Sequence, residues 1–188
     1  MFYTLALLIG DERSAKFIHF SFGLLVAFFT YKISREFLNK KNSLLAVLVF
    51  YSTLIFGWLS TSAYIDLIRT AFEAGAFFFF IRWWKEDWEN MGNRGNKRRT
   101  NNLYLTGLFL GIAISVKLLA LGSIVIFIVL IFLKKSFLNL PSPRRSQNRC
   151  FATFEVLLTI LSFVVCVLIP VLPWFYQAFR ATGNPIYP

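Results

Sequence analysis

The stretch 103–133 reads LYLTGLFLGIAISVKLLALGSIVIFIVLIFL and carries a single charge, Lys117. A surface helix of a water-soluble domain needs a polar face, and none can be drawn on this run. It is also too long for one bilayer crossing, which takes about 20 residues of helix. Lys117 divides it. The sequence predicts two apolar helices, Leu103–Val116 and Leu118–Leu133, closed into a tight hairpin at the lysine. The first is short for a bilayer, roughly 21 Å at 1.5 Å per residue. That length sinks Lys117 below the membrane surface, inside a funnel. Gly107 and Gly111 form a GxxxG pattern, with Ser115 four residues further on. Such a stripe of small residues lets helices approach closely; it concerns packing and says nothing about a substrate.

The rest of the chain agrees with this reading. Of its 188 residues, 57% are hydrophobic and 15% charged, against roughly 25% charged in typical globular domains. Too few charged groups exist to cover a water-exposed surface, so lipid must cover it. Phe17–Leu38, Ser43–Leu59, Ser62–Trp84 and Phe151–Phe179 supply further spans, the last with Pro170 and Pro173 expected to kink or end it. Met1–Ile9 is about half a span and reads as the tail of a helix. The expected fold is all-α: a polytopic transmembrane bundle of about six spans plus a partial N-terminal helix. Residues 1–188 form a single transmembrane domain.

The net charge of +11 suits nucleic acid in a soluble protein. Here it lies in short gaps between apolar runs, which excludes nucleic acid as a partner and points to orientation in the bilayer. The segments 32–41, 82–99 and 134–149 hold 15 of the 20 Lys and Arg residues; Arg13, Lys16, Arg69, Lys117 and Arg180 are the other 5. Alternating spans put the 15 on one side of the membrane and the 5 on the other. Basic loops stay cytoplasmic, so Asp66, Lys117 and the terminal segment ATGNPIYP face outward from a multi-pass protein of the plasma membrane. The basic loops are also suited to touching anionic membrane lipids.

Three charges sit within the Ser62–Trp84 span. Asp66, Arg69 and Glu73 are spaced by three and four residues, so they share one helix face. Charged groups within a span face protein or a water-filled cavity. Arg69 and Glu73 read either as an ion pair that locks packing or as part of a site. Asp66, at the outer mouth, is the better candidate for function. Lys117 suits a phosphate as a point charge, or a lysine snorkelling at a helix turn. His19, the only histidine, reads as a packing residue. Cys150 and Cys166 give neither a disulfide framework nor a metal site. No catalytic triad, phosphate loop or metal-ligand spacing is present, so no metal residues are assigned.

Three stretches in order carry a family resemblance. The run from Ala15 to Leu67, AKFIHFSFGLLVAFFTYKISREFLNKKNSLLAVLVFYSTLIFGWLSTSAYIDL, looks like the second-to-fourth span region of the GT-C glycosyltransferases that use polyprenyl-phosphate sugars. The relatives meant are dolichyl-phosphate-mannose protein mannosyltransferases, lipid A aminoarabinose transferases and bacterial Rgt-type transferases. TGLFLGIAISVKLLAL resembles their Gly-rich hairpin ending in a lysine, and PWFYQAFRATGNPIYP their Pro-Trp, Arg, Gly-Asn-Pro segment. The resemblance implies a hexosyl- or pentosyltransferase that inverts configuration at the outer face of the membrane. Its donor is a polyprenyl-phosphate sugar, and its acceptor a protein, lipid or glycan. It matches Asp66 to a catalytic-site carboxylate, and Lys117 and Arg180 to cations that bind the lipid phosphate. It demands no cofactor and leaves room for a divalent metal. These families carry their main catalytic carboxylate in the first outer loop, which has no counterpart here, so the chain reads as an internal part of a larger transferase. The other class is a non-enzymatic transporter or flippase subunit for a lipid-linked sugar. Transporters tend to show internal repeats and midplane sites. Here no repeat is evident and the polar groups gather at one face, which favours the transferase.

Overall fold

A computed structural model of the chain describes residues 12–54, 66–90, 101–138 and 149–184. Every regular element among them is helical: α1 (Glu12–Arg35), α2 (Lys40–Tyr51), α3 (Asp66–Asn90), α4 (Asn101–Val116), a short 3₁₀ turn (Leu118–Ala120), α5 (Leu121–Leu138) and α6 (Arg149–Thr182). The half-span expected at Met1–Ile9 lies outside the described residues. Lys16–Arg35, Leu118–Ser136 and Phe154–Thr182 are long and apolar enough to cross a bilayer. Large apolar side chains such as Leu48, Val125 and Leu157 stand exposed on the bundle's exterior. The protein is an all-α helical bundle integral to a membrane.

α4 lies at the centre, packed on α3 and α6; α1 lies against α3 and α2, and α5 against α6. The small residues of α4 explain this position. A Cβ added at Gly107 would stand 2.7 Å from Cys166 Cβ and 2.9 Å from Phe163 O, and one at Gly111 would overlap Val167 O and the Pro170 ring. Only glycine lets the α4 and α6 backbones come this close. Around the contact, Phe80, Trp83, Leu103, Leu110, Ile114, Phe127, Ile131 and Phe163 form one buried cluster. Phe80 and Phe127 meet edge-on at 5.0 Å between ring centroids, the arrangement the ring quadrupoles favour.

Four expectations change. First, α6 does not end at Pro170 or Pro173 but continues to Thr182. The Pro170 ring seats against the gap left by Gly111, and Ser115 Oγ donates to Pro170 O at 3.0 Å. A neighbouring helix that makes room for the ring helps a membrane helix keep its proline. The helix ends instead at Gly183, whose φ of 73° lets its N–H turn back to Phe179 O at 2.8 Å. Second, α4 and α5 join at a short turn but do not pack tightly as a hairpin; the glycine face of α4 is taken by α6. Third, α2 starts at the Asn39 cap, whose side chain accepts from Asn42 N at 2.9 Å. It stops at Ser52, short of the expected Ser43–Leu59 span; residues 55–59 lie outside the described residues. Fourth, Lys134 and Lys135 are not loop residues. They lie in α5 and are buried.

Helix directions follow from the cross-contacts. Phe22 meets Phe72, and Phe29 meets Phe78, so α1 and α3 run parallel. Ser123 meets Glu73 and Lys134 meets Trp83, so α5 runs the same way. Asp66 meets Lys117 and Glu86 meets Asn102, so α4 opposes α3. One end of the bundle therefore carries residues 32–41, 82–86 and 134–135, and the other carries Asp66 and Lys117.

Candidate functional site

The site is built where α3 begins and α4 ends. Asp66 is the first described residue of α3. Thr70 Oγ1 donates to Asp66 O at 2.8 Å, tying that turn to itself. Lys117 is the hinge between α4 and the 3₁₀ turn. Its extended backbone (φ −154°, ψ 122°) interrupts the helix, while its N–H still closes on Ala113 O at 3.1 Å and its carbonyl accepts from Ala120 at 3.1 Å. An otherwise continuous apolar run thus breaks at its one charged residue.

Lys117 Nζ donates to Asp66 Oδ1 at 2.6 Å. The two side chains are 44% and 34% exposed, so water and a solute can reach both. Exposed pairs of this kind contribute about 0.2–1 kcal/mol, so the contact is weak enough for a ligand to compete with it. Two turns further along α3, Glu73 forms a second polar link to the same connection. Its Oε1 accepts from Ser123 Oγ at 2.9 Å, and its Oε2 lies 3.6 Å from Arg69 Nε. At 3.6 Å this is a Coulombic pair rather than a hydrogen bond. Arg69 Nε is buried and makes no hydrogen bond among the described residues. The three charges expected on one helix face are there, and they serve two contacts: Asp66 holds the turn, and Glu73 holds the helix after it.

Of the three residues singled out as a site, the structure brings Asp66 and Lys117 together. Arg180 stands at the same end without joining them. Gly107 and Ser115 of α4 sit level with Cys166 and Pro170 of α6, so α4 and α6 run parallel. Arg180 lies ten residues beyond Pro170, roughly 15 Å further along the helix. Its guanidinium lies 6.0 Å from the Tyr176 ring of its own helix. His19 is fully buried. Among the described residues, no group of three or more His, Cys, Asp or Glu side chains could hold a metal ion.

Sequence reasoning missed Ser123, a hydroxyl in an otherwise apolar run whose only signal was its polarity. It also missed the order at the opposite end of the bundle. There Lys134, 2% exposed, lies 3.5 Å from the Trp83 ring centroid and donates to Trp83 O at 2.9 Å. Lys85 pairs with Glu36 Oε2 at 3.0 Å and also donates to Glu36 O. Asn102 Nδ2 donates to Glu86 Oε1 at 2.6 Å.

No curated protein and no solved structure matches the chain. The model of one family does, over residues 2–174, which takes in α1 to α5, both members of the Asp66–Lys117 pair and most of α6. Three independent features thus coincide: a lipid-exposed helical bundle, a polar pair at one end of it, and a family match across nearly its whole length. The chain belongs to the family of dolichyl-phosphate-mannose-protein mannosyltransferases, membrane glycosyltransferases of the GT-C type.

Proposed function

We propose that the chain takes part in transferring a sugar from a polyprenyl-phosphate donor to a protein acceptor at the outer face of the plasma membrane, and that the Asp66–Lys117 pair lies at the site of transfer. The observation that carries this reading is the 2.6 Å contact between an exposed carboxylate and an exposed lysine at one end of the bundle, in a chain of this family. In such a transfer an acceptor oxygen attacks the anomeric carbon and the bond from that carbon to the phosphate oxygen breaks. The acceptor proton passes to water, and the phosphate leaves as a monoester with an added negative charge. Lys117 offsets that growing charge as a point cation. Asp66 accepts a hydrogen bond from the acceptor hydroxyl and orients it. Arg180, further out on the same end, meets the lipid phosphate on its approach. The count of basic residues supports the outward direction of this end.

The test is transfer activity in membranes of the native host, with polyprenyl-phosphate mannose as donor and release of lipid phosphate as readout. Lys117→Gln and Asp66→Asn should each lower the rate about 100-fold or more, the usual scale for removing one charge-stabilising group. Both should leave the helical circular-dichroism spectrum unchanged. Full activity in both variants would remove the pair from the site.

A further inference from the structure

Resting on that reading, we propose that Asp66 sets the charge preference of the Lys117 phosphate site, favouring a phosphodiester over a phosphomonoester. A lysine ammonium has three donors, and one of them is committed to Asp66 Oδ1. An incoming phosphate must therefore share the cation with a carboxylate that stays beside it. Asp66 cannot swing far away, because its side chain is short and its backbone is fixed in α3. The next cation, Arg69, also acts on this carboxylate, but it shares its charge with Glu73 at 3.6 Å. Glu73 in turn is held by Ser123. The four charges Asp66, Arg69, Glu73 and Lys117 sum to zero, so this face gives no net attraction to a second negative charge on the ligand.

The two ligand forms in a lipid-phosphate sugar transfer differ in this respect. The donor is a diester with one negative charge. The spent lipid is a monoester that carries about 1.5 to 2 at neutral pH. The added charge meets the Asp66 carboxylate within a few ångströms. In a water-exposed site that repulsion amounts to about a five-fold loss of affinity. Asp66 would then keep the product from outcompeting the donor at Lys117, a role separate from orienting the acceptor.

The experiment measures binding of farnesyl phosphate and farnesyl methyl phosphate to the full chain in detergent at pH 8, by calorimetry. In the unmodified protein the diester should bind at least as tightly as the monoester. Asp66→Asn should raise monoester affinity about five-fold relative to the diester. Asp66→Ser, which also removes the charge, should do the same and guards against a folding defect peculiar to one variant. Lys117→Gln should weaken both ligands. A monoester-to-diester ratio unchanged in both Asp66 variants overturns the proposal. Binding of both ligands unchanged in Lys117→Gln overturns instead the reading of Lys117 as the phosphate group. Inorganic phosphate in parallel shows whether the headgroup alone is recognised or the lipid is needed.

Discussion

At the scale of single residues, long basic side chains are the least legible part of this sequence. Lys134 and Lys135 end an apolar run and open a basic segment, which reads as a solvated loop. A lysine can lay its stem along apolar surface while its ammonium seeks a partner, and Lys134 does so inside the bundle, over Trp83 and against Trp83 O. The same rule makes the contact testable. Lys134→Met keeps the length of the stem and removes the charge. A hydrogen bond to a charged group contributes about 1.5–3 kcal/mol, so this variant should lose about 2 kcal/mol. For a chain of this size that lowers the melting temperature by roughly 4–8 °C. The measurement is thermal unfolding in detergent followed by tryptophan fluorescence. An unchanged midpoint would mean that the ammonium is as well served by water as by the indole.

At the scale of elements, α4 separates what the sequence could and could not disclose. Its helical nature, its shortness and its stripe of Gly107, Gly111 and Ser115 are local properties, so they are legible in order along the chain. The helix that fills the stripe is not. Sequence proximity suggests α5, but α6 is the helix that presents a backbone surface and a proline ring at matching depth. The Asp66–Lys117 contact was half legible for the same reason. Periodicity places Asp66 on a face and the break places Lys117 at an end, while the meeting of the two depends on α3 and α4 running antiparallel side by side. Two glycines give the control. Gly111→Ala puts a methyl group into Val167 O and Pro170, so α4 and α6 must part, at about 1–3 kcal/mol. Gly122→Ala, in α5, meets nothing within 4 Å. It should leave stability unchanged or raise it by up to about 1 kcal/mol, because alanine restricts the unfolded chain more than glycine does. Chemical denaturation of the two variants beside the parent chain checks the contrast. Equal losses would mean that the α4–α6 contact does not depend on its small residues.

At the scale of the whole molecule, the fold and the charge distribution each constrain how the bundle sits in its membrane, and they can be tested apart. α6 runs for 34 residues without interruption, roughly 51 Å at 1.5 Å per residue. A bilayer with its headgroups is about 40–45 Å thick. A helix of that length lying across the membrane emerges on both sides, so its two ends must report opposite compartments. Cys150 lies at one end and Asn184 just past the other. The length of α6 predicts that they differ, and the distribution of 15 basic residues against 5 predicts which is which: Cys150 cytoplasmic and Asn184 outside. The measurement is labelling of intact cells by a membrane-impermeant thiol reagent, with Cys166 replaced by alanine. One background keeps Cys150, and the other carries Cys150→Ala with Asn184→Cys. Asn184→Cys should label in intact cells, and Cys150 only after permeabilisation. Labelling of both in intact cells would show that α6 does not cross the membrane. Labelling of Cys150 alone would keep the crossing and reverse the orientation, which would move the Asp66–Lys117 pair to the cytoplasmic side and take with it the reading of an outer-face transferase.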